Sequence, residues 1–259
     1  MGHILHTSTA DHVTVLNPEG QSSVVVVCEH ASFFIPEALH DLGMTGNALQ
    51  SHAAWDPGAI AVAQGLAKRF DATLVASGVS RLVYDCNRPP TAPDAMPAQS
   101  EAFNVPGNAN LMPAQRQERI ASYYEPFRTR LAQTIATKPK PVIVTMHSFT
   151  PVYYGQKRAV EIGVLHDADT RLADAMLQVA PLLLAANVQR NEPYGPEHGV
   201  THTLKEHALN AGHLNVMLEI RNDLIETAQQ QDAMAQSVAN WLEDALARLQ
   251  IKGVAQCQA

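Results

Sequence analysis

Four apolar runs in this chain end in polar residues that are unfavourable to bury alone. SVVVVC (23–28) leads into Glu29 and His30, and VIVTM into His147 and Ser148. NVML leads into Glu219 and Arg221, and RLVY into Asp85, Asn87 and Arg88. One such junction means little, but four imply a shared polar pocket. Two histidines and a carboxylate at separate strand ends are the donor set of a catalytic zinc site, which uses three protein ligands and keeps a position for water. Zinc lowers the pKa of that water to roughly 7 and polarises a carbonyl, and a further carboxylate then serves as general base. His30 and His147 are the first two ligands. Asp56 is the third, with Glu29 as the alternative, and Glu219 is the base. The metal is zinc or another divalent ion. Arg81, Asn87 and Arg88 cluster along one short segment. Arginine grips carboxylates with two parallel hydrogen bonds, so a substrate carrying a carboxylate near its scissile bond is expected. An arginine could also steady a tetrahedral oxyanion. Arg221 and Ser148 join Asn87 and Arg88 as substrate-binding candidates.

Each assignment has a plainer rival. Asp56 precedes Pro57 and reads equally well as the N-cap of a helix. Glu219 could pair with Arg81 or Arg221. Asn87 and Arg88 could shape the turn before Pro89, and Ser148 could orient backbone only. The chain has twelve histidines, so most are not ligands; His202, His207 and His213 in GVTHTLKEHALNAGH (199–213) have no defensible metal spacing. A Ser-His-Asp triad is disfavoured because no GxSxG elbow occurs.

The elements that must position these residues are legible from pattern. Runs 23–28, 141–146, 159–166 and 214–220 read as strands covered on both faces. Segments 72–79 and 81–86 are further strand candidates, and 187–195 starts as one. Helices are expected at 56–70, at 113–137 with a kink at Pro126, at 170–186 with Pro181 bending or ending it, and at 230–250. Strands alternating with helices give a single α/β domain over 1–259 with a mixed, mostly parallel sheet flanked by helices. In such sheets sites form beyond the carboxyl ends of strands. The Pro- and Asn-rich segment 87–112 is an irregular loop within that domain, suited to closing over a site.

A net charge of -7 and the lack of any Lys/Arg-rich run exclude nucleic acid as an expected partner. No apolar run of about eighteen residues could span a bilayer. No signal-peptide pattern opens the chain, so a cytoplasmic protein is the expectation. Three scattered cysteines make no disulfide framework, and Cys28 and Cys86 read as small buried residues. Nothing sets the oligomeric state.

Taken together, CEHASFFIPEAL, WDPGA, SRLVYDCNRPP, VTMHSFTP, EIGVLHD, NEPYGPEHGVTHTLKEH and VMLEIRNDLI resemble the N-formylglutamate amidohydrolase family, in order from about residue 24 to 225. The resemblance implies a metal-dependent deacylase acting on an N-acyl acidic amino acid, with a fold related to zinc carboxypeptidases and aspartoacylases. Asn87, Arg88, Arg81 and Glu219 stand where those relatives hold the substrate carboxylate, the oxyanion and the base. One departure is clear. The relatives carry a glutamate ligand three positions after the first histidine, and here that position is Phe33.

Overall fold

The structure is a computed structural model that describes residues 12–251; the N-terminal stretch 1–11, on which the reading of no leader rests, and Cys257 lie outside the described residues. Its strands are β1 (Val13–Leu16), β2 (Val24–Cys28), β3 (Thr73–Ser77), β4 (Gln99–Ser100), β5 (Phe103–Asn104), β6 (Val142–Phe149), β7 (Val152–Tyr153), β8 (Gln156–Lys157), β9 (Ile162–Leu165), β10 (Val188–Arg190) and β11 (Leu214–Arg221). The helices are α1 (Ala59–Phe70), α2 (Pro113–Arg119), α3 (Glu125–Ala136), α4 (Arg171–Leu183), α5 (His202–His207) and α6 (Ala228–Arg248). Seven strands form one sheet in the order β1-β3-β2-β6-β11-β9-β10, while β4-β5 and β7-β8 are separate two-stranded ribbons. Only the β1–β3 and β9–β11 pairs are antiparallel within the large sheet. The expected mixed, mostly parallel α/β architecture is therefore present.

Alternation within the strands divides the core. Val24, Val26 and Cys28 of β2 pack with Val144, Met146, Val216 and Leu218 against α1, α4 and α6. Val25 and Val27 face the other way, joining Ile143 and Met217 under α3 and α5. Burial on both faces explains why these strands are uninterrupted runs of valine, isoleucine, leucine and methionine. Each such fully buried side chain contributes about 1.5–3 kcal/mol relative to exposure. His147 and Glu219 follow the parity of Ile143 and Met217, so they emerge on the second face. They are also direct neighbours across the β6–β11 ladder.

Three expectations about elements need correction. Segment 81–86 is buried but is a turn rather than a strand. Its backbone bonds locally, with Leu82 N–H donating to Ser80 Oγ and Val83 N–H to the Ser80 carbonyl. Burial without period-two alternation cannot distinguish a strand from a core-embedded turn. Helix α1 starts at Ala59 after Gly58 (φ +81°), so Asp56 is not its N-cap. A Cβ on Gly58 would lie 2.5 Å from the Ile225 carbonyl oxygen, which leaves only glycine room there. Around Pro126 the chain makes one π turn (Ile120–Tyr124) between α2 and α3. Proline has no N–H and its ring crowds the carbonyl four residues earlier, and the wider turn absorbs that conflict.

Segment 87–112 is irregular, as expected, but it is firmly tied down. Asn108 donates to the carbonyls of Leu82 and Pro97 and accepts from Arg119. Ala95, Met96 and Val105 lie in the core.

Candidate metal centre and catalytic cavity

The carboxyl ends of β2 and β6 deliver His30 and His147, and the tight turn before α1 brings Asp56 beneath them. The Asp56 amide donates to the His30 carbonyl (3.0 Å), which locks that turn to the end of β2. His30 Nδ1 lies 3.1 Å and His147 Nδ1 2.9 Å from Asp56 Oδ2, and the two Nδ1 atoms are 3.2 Å apart. Among the described residues these three make the one group of donors close enough to share an ion. The remaining imidazole nitrogens each face another carboxylate. His30 Nε2 is 2.7 Å from Asp85 Oδ1, and His147 Nε2 is 3.1 Å from Glu29 Oε2. The His30–Asp85 contact is a hydrogen bond, whereas Glu29 reaches His147 only as a charge, out of hydrogen-bond geometry. A carboxylate beside one imidazole nitrogen favours the proton there and leaves the other nitrogen's lone pair for the shared centre.

This arrangement fits a divalent cation on two grounds. A tetrahedron with bonds of ~2.0 Å has edges of roughly 3.3 Å, close to the observed triangle. The second ground is charge. Glu29, Asp56 and Asp85 are all buried, and Arg81 is the one guanidinium among them, donating to Asp56 Oδ1 (3.3 Å) and Asp85 Oδ2 (3.0 Å). Three carboxylates against one guanidinium leave two negative charges, and buried charge must be compensated.

The titration tendencies express the same imbalance. Burial pushes the Asp56 and Asp85 carboxyls up, but His30 and the other cationic neighbours outweigh it and hold both well below the usual carboxylate range. Burial also raises Glu29, and His147 with the Thr203 hydroxyl more than reverses it. Desolvation works against a protonated His147, yet Glu29 and Asp56 raise its pKa well above the ordinary value. Burial and Arg81 lower His30, while Asp85 and Asp56 win and raise it. Glu219 differs. Burial pushes its carboxyl up to about 7 despite His147 nearby, and its Oε2 is buried with no hydrogen-bond partner.

His30, His147, Asp56, Arg81 and Glu219 line one cavity of about 280 Å³, near the lower end for small-molecule sites, ~300–1,000 Å³. Asp85, Asn87, Arg88 and Ser148 also line it. Ser148 holds Asp56 in place through its amide (3.3 Å) and donates its hydroxyl to the Pro57 carbonyl (2.8 Å). Asn87 has both ends of its amide engaged, donating to the Val200 carbonyl (2.5 Å) and accepting from the Thr203 amide (3.0 Å). Arg88 donates to the His198 carbonyl and pairs with Asp94. Both residues thereby hold segment 198–203 over the cavity. Arg221 is not at the cavity at all. Its guanidinium bonds Asp223, Glu161 and the carbonyls of Arg158 and Val160, since it sits at the end of β11 beside residues 158–161. Glu219 pairs with neither Arg81 nor Arg221. His202 is engaged with the Tyr124 hydroxyl (2.8 Å) and takes no part in the triangle.

The sequence profile of N-formylglutamate amidohydrolases matches residues 22–226. The chain belongs to the N-formylglutamate amidohydrolase family. It is accordingly an enzyme, a hydrolase acting on an amide bond. A gene product of Agrobacterium tumefaciens with a solved crystal structure is 50% identical, with a TM-score of 0.92 over 96% of this chain and 100% of that one. An N-formylglutamate amidohydrolase from Ralstonia eutropha shares 16% identity over 93% of this chain and 100% of that one; its TM-score of 0.63 reports a common fold. No curated protein matches the chain. Among the described residues no helix is long and apolar enough to cross a membrane.

Sequence reasoning noted Asp85 without giving it a role, and it missed Tyr194, His52 and Glu101. Tyr194, His52 and Glu101 line the cavity, with the His52 ring hydrogen-bonded to the Glu101 carboxylate. Asp85 carried a signal, since it ends the same run that supplies Asn87. The others sit on irregular segments that only tertiary folding brings together.

Proposed function

We propose that this enzyme hydrolyses the N-acyl amide of an acidic amino acid, with N-formylglutamate as the reference substrate. His30, His147 and Asp56 would hold a divalent cation, zinc first among them. The triangle of His30 Nδ1, His147 Nδ1 and Asp56 Oδ2, with Glu219 opposite His147 on the neighbouring strand, is the observation that carries this reading. When bound, such an ion lowers the pKa of a water to roughly 7 and polarises the acyl carbonyl. Glu219 is suited to proton transfer, because a carboxyl with a pKa near 7 accepts a proton from the attacking water and returns it to the leaving amine. Arg81 holds Asp56 and Asp85 apart with the ends of its guanidinium and keeps its remaining N–H donors for the developing oxyanion. Asp85 and Glu29 fix the two imidazole rings by their Nε2 atoms. The Glu29 alternative for the third ligand is not favoured, because its carboxylate lies behind His147 and away from the triangle.

Metal analysis of the purified protein, combined with formate release from N-formyl-L-glutamate, tests this reading. Stoichiometric divalent metal and turnover that chelation removes are expected. Protein that turns over equally well after exhaustive chelation refutes the metal assignment. A further arm with N-acetyl-L-glutamate and C-terminal dipeptides separates the deformylase from other zinc hydrolases of acylated amino acids.

A further inference from the structure

Arg81 and Arg88 line the cavity, and Arg158 stands behind Phe149, Thr150, Tyr153 and Tyr194, which line it too. Arg81 is bound to Asp56 and Asp85, and Arg88 to Asp94, so each already has a carboxylate partner. Arg158 differs from both. Among the described residues it has no carboxylate within ion-pair reach. Its guanidinium lies against three aromatic rings, 4.4 Å from the centroid of Tyr153, 4.9 Å from Tyr194 and 5.4 Å from Phe149. It donates to the Tyr194 hydroxyl at 2.9 Å and, at 3.5 Å, to the Thr150 carbonyl. A guanidinium carries five N–H donors, so donors remain free. All four of these partners line the cavity. Because the Tyr194 oxygen accepts from Arg158, its own O–H is left to donate elsewhere, and it too faces the cavity.

This pair is placed by specific backbone features. A Cβ on Gly163 would run into the Glu192 carbonyl, so glycine in β9 is what lets the Tyr194 loop approach the sheet. Arg158 is anchored by its amide, which donates to the Pro151 carbonyl at 2.9 Å, and by Arg221, which donates to its carbonyl. That anchoring accounts for Arg221, which the sequence placed in the substrate site.

Resting on the amide-hydrolase reading above, we propose that Arg158 and the Tyr194 hydroxyl form the subsite that receives a carboxylate of the substrate. Asn87 and Arg88 then serve to hold the cavity wall. A stacked guanidinium is oriented and partly stripped of water, which suits planar recognition of a carboxylate. Tyr194 adds one hydrogen bond from the side of Glu219 and makes the subsite continuous with the reacting centre.

The test compares N-formyl-L-glutamate with N-formyl-L-glutamine amide, in which neutral amides replace both carboxylates at nearly the same size. In Arg158→Met the ratio of kcat/KM for the two substrates should collapse by on the order of 10–100-fold, the worth of hydrogen bonds to a charged group. Arg158→Lys keeps the charge without the fork and should fall between. Tyr194→Phe should lower the ratio less, chiefly through KM. Arg88→Met should weaken turnover of both substrates together. If Arg158→Met depresses both substrates equally, or Arg88→Met alone erases the preference, the subsite is misplaced. Should the metal-loaded wild type turn over neither substrate, the amide-hydrolase reading fails separately, and calorimetry with glutarate then decides the subsite. Binding by the wild type that Arg158→Met abolishes supports it, and no binding by the wild type overturns it.

Discussion

Replacing Glu29 with glutamine separates a metal ligand from the group that orients one. Glu29 is fully buried, and its Oε2 lies 3.1 Å from His147 Nε2, on the far side of the ring from Asp56. Glutamine matches it in size and keeps an acceptor oxygen, so the strand end should pack unchanged. What disappears is the charge on that acceptor. Neither Glu29 Oε2 nor His147 Nε2 is in hydrogen-bond geometry, so the contact acts through charge at 3.1 Å. A charged acceptor contributes at most about 1.5–3 kcal/mol, and a neutral one about 0.5–1.5 kcal/mol. The lost difference, ~1–2 kcal/mol, corresponds to metal binding weakened roughly 5–30-fold, in line with the 10–100-fold common for partners of ligating histidines. Asp56→Asn is the contrasting variant, because it alters a donor at the triangle itself and should lose metal far more completely. Competition against a chromophoric chelator measures both affinities, and circular dichroism confirms that each variant is folded. If Glu29→Gln loses metal as fully as Asp56→Asn, or if Asp56→Asn keeps wild-type affinity, the assignment of roles is wrong.

Glu219→Gln should retain metal while kcat falls on the order of 10²–10⁴-fold, measured by formate release; wild-type turnover in that variant removes Glu219 as the base. Because burial raises the Glu219 carboxyl to about 7, the base is protonated and lost as pH drops below that value. kcat/KM should therefore decline on the acid side, at or below 7 because a bound cation pulls the carboxyl down, and the limb should vanish in Glu219→Gln. Gly58→Ala places a side chain at φ +81° and 2.5 Å from the Ile225 carbonyl oxygen, so a loss of at least ~1–2 kcal/mol is expected in denaturant unfolding. An unchanged midpoint would show that the turn after Asp56 has slack. Asn108→Ala removes the shortest of three acceptors of the Arg119 guanidinium, leaving it the Val83 and Gly107 carbonyls, and takes the Asn108 donor from the Leu82 and Pro97 carbonyls; a loss of about 1–3 kcal/mol is expected, read as a lower thermal midpoint.

The sheet was legible because its strands are covered on both faces and so consist of unbroken apolar runs. Their polar ends pointed to His30, His147 and Glu219 without any knowledge of partners. Segment 81–86 defeated the same logic, since burial alone made RLVYDC look like a strand when Ser80 folds it into a turn. Asp56 was ambiguous for a related reason. Asp-Pro-Gly before an apolar helix matches an N-cap signal, and only the left-handed Gly58 swings the aspartate toward the histidines. The reading of Arg88 and Arg221 as substrate residues failed to consider competing partners. The His198 carbonyl that engages Arg88 and the Glu161 that engages Arg221 are far away in sequence, and Asp94 lies in the irregular segment just after Arg88. Arg158 was passed over because nothing local marks it, and the three rings around it come from two separate segments of the chain.

His147 and Glu219 occupy facing positions on adjacent parallel strands, so the distance from the proposed ligand to the proposed base is set by the spacing of a hydrogen-bonded ladder, about 4.8 Å. A slip of one residue would turn Glu219 to the opposite face, so no partly correct register exists. The walls that meet the substrate belong instead to segments 87–112, 150–158 and 194–200, which lie outside the large sheet. Chemistry and selectivity are thus carried by separable parts of the molecule. Exchanging those segments should redirect the enzyme to other amide substrates while the residues on the ladder stay where it put them.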